Sequence, residues 1–465
     1  MTKLTLCLIA RDEAHFLPGC LASVADVVDE MIVVDTGSTD DTVQIAERAG
    51  ARVIRHTWND DFSAARNAAI AEVREGFVLI LDASERLVPG AGAALRTAIE
   101  RDDFDIGRLP LHDATALDAS PEDVLSGVAS AGPAVLLERV LRRTPDLAWE
   151  GVVHEHVTSW ASKGRRAMAL DAPIIHFGAV PELRTRLGKS ERNLRLLERA
   201  VQREPQNAAY RTYFAQDLLR AGELERAWRE LSTAWDRIAA CCAAGEPAAN
   251  GTTTATLRAF LQLRNDDYDG AAQTIRQARE WNGDHPNLCL LTAVLHERRW
   301  FASGESAKGS AELSAAATAC EACFGFADRA LDVPALPGST SWAAATRLGT
   351  IRLLQGDPAS ALQSFEDALA TDENHLEARL GRAEALIFGG HGADALPELM
   401  TMLESGVPDA WILAARAGFE FGGREQVAPM LEQARRSLQT TELLAGHRRW
   451  LLEELEALHT QGGVA

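Results

Sequence analysis

The chain has 465 residues, of which 46% are hydrophobic and 25% charged, as is usual for a folded globular protein. A chain of this length is expected to fold as two or three domains. The net charge of −20 argues against a nucleic-acid-binding surface and against docking to an anionic membrane. The seven cysteines lack the spacing of a disulfide framework, and no apolar stretch approaches the roughly 18 residues of a membrane span. We therefore expect a cytoplasmic protein.

Three short apolar runs near the start of the chain each lead into acidic or small polar residues. The runs are Leu4–Ala10, 31–34 and 77–81, and the residues that follow them include Asp12, Glu13, Asp35, Asp82, Ser84 and Glu85. Their aliphatic content is typical of strands buried on both faces, and the helical segments between them predict parallel pairing. Ligands bind beyond the carboxyl ends of such strands. Acids at that edge suit a polyhydroxylated, phosphorylated ligand held through a cation.

Further strands are predicted over 51–54, 135–137, 151–153 and 174–178. After Pro181 the strand signals almost vanish, and alanine, leucine, arginine and glutamate recur at helical spacing. The sequence thus predicts an α/β domain followed by an all-helical region.

The helical region contains an internal repeat. Residues Trp342, Leu348, Gly349, Gly356, Ala361, Phe365 and Ala368 are followed 34 positions later by Leu376, Arg382, Ala383, Gly390, Ala395, Leu399 and Met402. Small residues let the two helices of a hairpin approach, and large ones fill the groove of the next hairpin. The pattern resembles the tetratricopeptide repeat, and the alternative is a generic alanine-rich helical bundle.

The N-terminal motifs together resemble the family 2 glycosyltransferases of the GT-A fold. The motifs are those of residues 7–13, 29–40, 58–67, 151–155 and 175–178. The resemblance is greatest to a bacterial subgroup that joins this domain to tetratricopeptide repeats and includes peptide glycosyltransferases of the sublancin S-glycosyltransferase type. It implies a mostly parallel, Rossmann-like GT-A domain over residues 1–180, a linking helix over 181–207 and a helical repeat domain over 208–465.

The resemblance also implies a nucleotide-diphosphate-sugar donor, with a UDP-sugar favoured, and inversion at the anomeric carbon. The donor-binding residues that it implies are Arg11, Glu13, Asp35, Arg66, Asn67, Asp82, Ser84 and Glu85. Asp35 would meet the nucleobase, and Asp82 would contact the ribose and the cation. From the residues alone, Asp35 and Asp82 could instead simply cap the loops that follow them.

Position 84 departs from the family, which usually has an aspartate there to bind Mg²⁺ or Mn²⁺. A neutral hydroxyl is a poorer ligand for such hard cations. The cation could be held by Asp82 and His176 with help from Glu85 and water, and His176 could equally be a hydrogen-bonded core histidine. Two alternatives remain, namely a catalytically weakened domain or neutralisation of the phosphates by arginines. The candidate arginines are Arg139, Arg142 and Arg143.

An inverting transfer needs one base to accept the proton of the acceptor. Glu155 is the first candidate for this base and His154 the second, although both could merely order the acceptor loop. If residues 151–156 form a strand, His154 and Glu155 point to opposite faces.

The repeats predict the class of acceptor, because solenoids form extended concave surfaces that hold peptides or proteins. We therefore expect transfer to a peptide or protein through a Ser or Thr oxygen or a Cys sulfur, with a homodimer possible. The alternatives are a transferase for cell-envelope polysaccharide or a lipid carrier, and a non-catalytic repeat scaffold with an inert N-terminal domain.

Overall fold

The computed structural model describes residues 2–178, 180, 189–247, 249–304, 306, 310–420, 424–438 and 455. Its first part is built on one sheet. The strands are β1 (Leu4–Ala10), β2 (Glu30–Asp35), β3 (Arg52–Arg55), β4 (Phe77–Ile80), β5 (Glu85–Leu87), β6 (Ile106–Asp113), β7 (Val135–Arg142), β8 (Ala167–Ala169) and β9 (Ile174–His176). The helices between them are α1 (Leu17–Val24), α2 (Thr42–Arg48), α3 (Phe62–Glu72), α4 (Ala91–Arg101), α5 (Pro121–Leu125) and α6 (Thr158–Ala161).

The sheet has the strand order β3-β2-β1-β4-β7-β6-β9-β5, with β8 paired to β6. The first four strands are parallel, as the sequence predicts, and their register aligns Ala10 with Asp35. From β7 onward the sheet is mixed, because β7 is antiparallel to both β4 and β6. The carboxyl ends of β1, β2 and β4 therefore lie along one edge.

Both faces of the sheet are covered, because successive side chains of a strand point to opposite sides. Leu4, Leu6 and Leu8 of β1 pack into one core cluster, which also contains residues of α1 and α4. Cys7 of β1 packs into a second cluster, which contains residues of α3 such as Ala65. This two-sided burial explains why β1 is apolar at every position except Thr5.

Two strand predictions differ from the structure. The segment 151–153, predicted as a strand, lies in a tight loop closed by hydrogen bonds between Glu150 and His156. Strand β6 has no corresponding sequence prediction, because Gly107 and Pro110 within it are residues that normally weaken a strand. Tertiary pairing with β7 and β9 holds it in place, with a register shift beside Gly107.

The second part of the chain is helical, as predicted. Its helices are α7 (Lys189–Arg203), α8 (Ala208–Arg220), α9 (Leu224–Ala243), α10 (Gly251–Arg264), α11 (Tyr268–Asn282), α12 (Pro286–Ser303), α13 (Ala311–Phe324), α14 (Trp342–Leu354), α15 (Pro358–Thr371), α16 (Leu376–Phe388), α17 (Gly392–Glu404), α18 (Pro408–Glu420) and α19 (Arg424–Leu438). Among the described residues, no helix is long and apolar enough to cross a bilayer.

The chain divides into two compact units. One comprises residues 1–265, 273–283 and 328–336, and the other comprises 266–272, 284–327 and 337–465. The sheet thus shares its unit with α7 to α10. The domain boundaries at residues 180 and 207 stay predictions, and residues 181–188 lie outside the described part of the chain.

The repeat positions pack as their residue types predict. Phe365 on α15 is 1% exposed, and its ring lies against Gly349 on α14 and Gly381 on α16. A Cβ atom at Gly349 would come within 2.7 Å of that ring, so the glycine is required for the close approach of the two helices.

Substitution Gly381→Ala should destabilise the repeat unit, because its methyl group would overlap the enclosed ring of Phe365. We expect a loss of about 1–3 kcal/mol in the free energy of unfolding, measured by urea denaturation of the full chain. The control is Gly325→Ala, where an added Cβ meets nothing nearer than 3.5 Å. Equal stability of the two variants would contradict this packing.

Candidate functional site

The loops that follow β1 and β2 form one connected rim at the carboxyl edge of the sheet. The Asp12 carboxylate accepts a hydrogen bond from the Thr39 N–H at 2.6 Å, and the Asp12 N–H donates to Ser38 Oγ at 3.0 Å. The Glu13 N–H donates to Thr42 Oγ1 at 2.8 Å. These cross-links fix the two loops relative to each other, so the rim is ordered by the protein's own contacts.

Three predicted donor-binding residues lie on this rim. Asp35 is buried, and its two carboxylate oxygens accept from the N–H groups of Gly37 and Ser38. It therefore does cap its loop, although a carboxylate with two such bonds keeps further acceptor sites. Arg11 is exposed, and its Nε lies 3.8 Å from the Asp12 carboxylate. Glu13 is held on the rim by the hydrogen bond from its N–H to Thr42 Oγ1.

Arg66 is the centre of the predicted site. Its side chain is only 8% exposed, its Nη2 donates to Asp82 Oδ1 at 3.0 Å and its Nε donates to Glu155 Oε1 at 2.5 Å. Burial by itself would lower the pKa of Arg66, but the two carboxylates raise it, so the guanidinium stays charged. Within the described residues, the buried Nη1 has no hydrogen-bond partner. Three predicted site residues are thus directly joined.

Asn67 supports this arrangement from behind. Its amide donates to the Trp149 carbonyl at 2.9 Å and accepts from the Trp149 N–H at 2.7 Å. The Trp149 ring lies against the Arg66 guanidinium, with 5.1 Å between the guanidinium carbon and the ring centroid. Asn67 therefore positions Trp149 over Arg66, and its contact with the donor stays a prediction.

Asp82 and Glu85 have opposite environments although they share one loop. The Asp82 side chain is 43% exposed, whereas Glu85 is 2% exposed, ion-paired with Arg139 and bonded to the Asp82 N–H. Burial would raise the pKa of Asp82, but Arg66 and Arg139 hold it well below its usual range. Burial raises the pKa of Glu85, against the opposing effect of Arg139. Asp82 is thus the ionised, accessible carboxylate, and Glu85 supports its loop.

Of the three arginines considered for phosphate neutralisation, the structure brings only Arg139 to this edge, with its Nη2 4.0 Å from Asp82 Oδ2. Arg142 pairs with Asp102 and Asp105, and in register it faces Phe77 at the opposite end of β4. Arg143 donates to the carbonyls of Val73 and Thr144. The expectation for Arg142 and Arg143 is therefore wrong, because the antiparallel direction of β7 carries them away from the site.

His176 is oriented for a contact at its Nε2 atom. Its Nδ1 lies 2.7 Å from Asp113 Oδ1. Burial would lower the pKa of His176, but the hydrogen bond that its Nδ1–H donates to Asp113 and the charge of Glu85 raise it. A Cβ atom built on Gly178 would lie 2.5 Å from His176 Nε2 and 2.6 Å from Ser84 Oγ. The missing side chain of Gly178 thus leaves a small space between these two polar atoms.

The residues around Asp82 suit a divalent cation that takes few ligands from the protein. Among the described residues, no three His, Cys, Asp or Glu side chains converge on one point. Mg²⁺ commonly binds one or two carboxylates together with substrate phosphates and water. Asp82 supplies one such carboxylate, and Asp113 orients His176 as carboxylates often orient metal-binding histidines.

The two candidate bases lie in the tight loop between Glu150 and His156. Gly151 and His154 have positive φ angles of 97° and 51°, which turn the chain so that Glu155 meets Arg66. The ring of His154 stacks on Tyr213 of α8, with centroids 4.0 Å apart and planes at 21°. Glu155 therefore lies at the site, whereas His154 packs against a helix.

Two residues near the site have no functional prediction from the sequence, namely Asp113 and Tyr213. Trp149, for which the sequence left open stacking on a sugar or packing in the core, is buried against Arg66. Asp113 ends β6, which was not predicted as a strand, and Tyr213 comes from a helix far along the chain. The sequence marks these residues only weakly, because an aspartate at the carboxyl end of a strand and an isolated aromatic residue are both common in proteins without such a site.

Comparisons with known proteins agree with the two-part architecture. Residues 5–113 match the glycosyl transferase family 2, and residues 352–418 match the tetratricopeptide repeat. A TPR repeat-containing protein of Synechococcus elongatus is 34% identical over 285 residues, which cover 60% of this chain and 66% of that protein. The prophage-derived glycosyltransferase SunS of Bacillus subtilis is 26% identical over 220 residues, or 46% of this chain and 49% of SunS.

A crystal structure of S. aureus TarS residues 1–349 is 16% identical and overlaps 60% of this chain and 91% of that one, with a TM-score of 0.34. The chain spans about half to two thirds of the length of the two curated relatives described above. The family matches confirm the resemblance seen in the motifs. The chain thus contains a family 2 glycosyltransferase domain followed by tetratricopeptide repeats.

Proposed function

We propose that this protein is an inverting glycosyltransferase that moves a sugar from a nucleotide-diphosphate sugar, preferably a UDP-sugar, to a peptide or protein. The observation that carries this proposal is the junction of Arg66, Asp82 and Glu155 at the carboxyl edge of a family 2 glycosyltransferase domain. It supplies an accessible carboxylate for the donor side and a second carboxylate for the acceptor side. Similarity to SunS, which is named as a glycosyltransferase, supports the same reaction class.

The proposed reaction is a single displacement. Glu155 accepts the proton of the acceptor's O–H or S–H group while the acceptor atom bonds to the anomeric carbon. The bond from that carbon to the diphosphate oxygen breaks, and the electron pair leaves with the diphosphate. Arg66 holds Glu155 in place, and its buried Nη1, which has no partner in the described part of the chain, is one further donor at this edge.

Under this proposal Asp82 and His176 would hold Mg²⁺ or Mn²⁺. A bound cation would neutralise the charge that develops on the leaving diphosphate. Asp82 is ionised and partly exposed, and Asp113 fixes the ring of His176 so that Nε2 is directed away from the carboxylate. The side chains in this area therefore favour a cation held jointly by protein and donor.

A peptide acceptor fits the repeat unit. Leu396 and Met400 lie one turn apart on α17 and are 50% and 55% exposed. Exposed apolar side chains at this spacing are suited to contact an extended or helical peptide. The acceptor atom is a Ser or Thr oxygen or a Cys sulfur under this proposal.

The function is tested by incubating the full chain with UDP-sugars, Mn²⁺ and purified peptides in the absence of lipid. Mass spectrometry should detect a peptide heavier by one sugar residue, and the NMR spectrum of the anomeric proton should show the opposite configuration to the donor. Transfer only when a lipid-linked acceptor is added would favour the cell-envelope alternative. Failure to bind any nucleotide diphosphate in calorimetry would favour a non-catalytic scaffold.

Substitution Glu155→Gln should lower kcat by about 10²–10⁴-fold, because the amide cannot accept the acceptor's proton. Donor affinity should change little, since the amide oxygen can still accept from Arg66 Nε. The measurement is steady-state transfer together with calorimetry of UDP. The matched variant is His154→Gln, which should retain most of kcat. A larger loss in His154→Gln than in Glu155→Gln would reverse the assignment of the base.

Substitution Ser84→Asp should tighten Mn²⁺ binding in the presence of UDP, because it restores a charged oxygen ligand beside His176 Nε2. We expect at least about a tenfold lower half-saturating Mn²⁺ concentration, since one added charge at contact contributes more than about 1.4 kcal/mol at an effective dielectric near 20. Ser84→Ala serves as the control and should resemble or fall below the parent. Identical metal titrations of Ser84→Asp and the parent would show that position 84 does not face the cation.

A further inference from the structure

The loop that carries Glu155 is held between two helices of the same compact unit. On one side, the N–H of Phe62 at the start of α3 donates to the Val152 carbonyl at 3.0 Å, and Arg66 of the same helix binds Glu155. On the other side lies α8, one of the helices that follow the sheet. The match to the glycosyltransferase family ends at residue 113, so both the loop and α8 lie beyond it.

Helix α8 contacts the loop at three positions. The hydroxyl oxygen of Tyr210 would lie 3.0 Å from a Cβ atom at Gly151, so a larger residue there would crowd the helix. Val153 is 4% exposed and packs in one core cluster with Tyr210. The ring of His154 stacks on that of Tyr213, with centroids 4.0 Å apart and planes at 21°. These contacts fall within the four residues that precede the candidate base.

One residue of the loop has a backbone conformation that needs support from outside the loop. The φ angle of His154 is 51°, in the left-handed region, which costs a residue other than glycine about 1–2 kcal/mol. Main-chain hydrogen bonds of 2.8 and 2.9 Å between Glu150 and His156 close the loop at its two ends. A strained residue keeps its conformation when the surrounding contacts determine it. For His154, the stack on Tyr213 is such a contact.

The position of Glu155 depends on the residue before it. The Glu155 side chain is 12% exposed, and its Oε1 lies 2.5 Å from Arg66 Nε. A change in the backbone of His154 would swing this carboxylate away from the guanidinium, because the two residues are adjacent in the chain. A general base must lie within hydrogen-bond reach of the proton that it accepts, and a displacement of about 1 Å can cost about 10²-fold in rate.

We propose that Tyr213 is a positioning residue, which holds the backbone of His154 and so places the Glu155 carboxylate for the proton of the acceptor. The proposal rests on the proposed function, in that Glu155 is the base. Tyr213 acts through the loop rather than on the substrate. A helix that lies beyond the glycosyltransferase family match therefore contributes to the transfer step itself, in addition to its place in the helical part of the fold.

The test combines steady-state transfer to a peptide, calorimetry of UDP and hydrogen exchange, all on the full chain. Tyr213→Ala should lower kcat by about tenfold or more and leave the affinity for UDP unchanged, because the loop loses its support while the donor side is untouched. Tyr213→Phe should retain kcat, since it loses only the hydroxyl that donates to Asn250 Oδ1 at 3.3 Å. The amides of Glu150 and His156 should exchange about tenfold faster in Tyr213→Ala than in the parent.

The matched control is Trp281→Ala, which removes a partly buried ring from another aromatic pair of the same unit, whose partner Trp235 lies at 4.6 Å. It should leave kcat and the exchange of the loop unchanged, because Trp235 belongs to α9 and not to the loop. His154→Gln retains most of kcat under the same reasoning. Its planar amide can still rest on the Tyr213 ring, whereas an alanine at position 213 leaves a gap beneath the loop.

A double variant separates positioning of the base from a general loss of stability. If Tyr213 acts through Glu155, then adding Tyr213→Ala to Glu155→Gln should lower kcat by no more than about twofold further, since residues that act as a unit are not additive. A full tenfold loss in that background, as expected for an independent effect, would overturn the inference.

The exchange measurement separates the inference from the proposed function. Faster exchange of the loop in Tyr213→Ala, with no transfer by the parent to any peptide, would refute the proposed function and still establish that α8 orders the loop. An unchanged kcat in Tyr213→Ala would overturn the inference even if the parent transferred sugar. A Tyr213→Phe variant as slow as Tyr213→Ala would also overturn it, since the ring would then not be what supports His154.

Discussion

The site depends on one buried guanidinium. Arg66 lies on α3 and holds two carboxylates that come from separate loops, one after β4 and the other between Glu150 and His156. A buried charge requires such partners, since removing one would leave an uncompensated charge in the interior. The pair of carboxylates thus fixes Arg66, and Arg66 fixes the position of Asp82 relative to Glu155.

The elements around Arg66 serve to hold this bridge. Asp61 is the N-cap of helix α3. Its carboxylate accepts a hydrogen bond from the Ala64 N–H and so satisfies an otherwise free donor of the first turn. Asn67, one residue beyond Arg66, bonds to the main chain of Trp149 and brings that ring against the guanidinium. The motif that spans residues 58–67 is therefore a structural unit, in addition to the binding role that we propose for it.

A second layer of paired charges lies beneath the accessible carboxylate. Glu85 and Arg139 form a buried ion pair. The Glu85 carboxylate also accepts a hydrogen bond from the Asp82 N–H. Asp113 of β6 orients His176 of the neighbouring strand β9 by a hydrogen bond. Both residues that we assign to the cation, Asp82 and His176, are therefore held in place by hydrogen bonds with neighbouring groups. Support of this kind sets the position of a ligand before it binds, which lowers the entropy cost of forming the site. The helices that follow the sheet pack against this part of the protein, since Tyr213 stacks on His154 and Arg192 lies over the Phe62 ring.

The sequence by itself determined the class of both parts of the protein. Apolar runs ending in Asp35 and Asp82, and the repeat of 34 residues, are local patterns that follow from strand burial and helix packing. Only the tertiary structure decided which arginine meets which carboxylate. Arg139, Arg142 and Arg143 are neighbours in sequence, yet the direction of β7 brings only the first to the site. Direction, register and the packing of distant helices depend on long-range pairing, and a local pattern of residue types does not specify them.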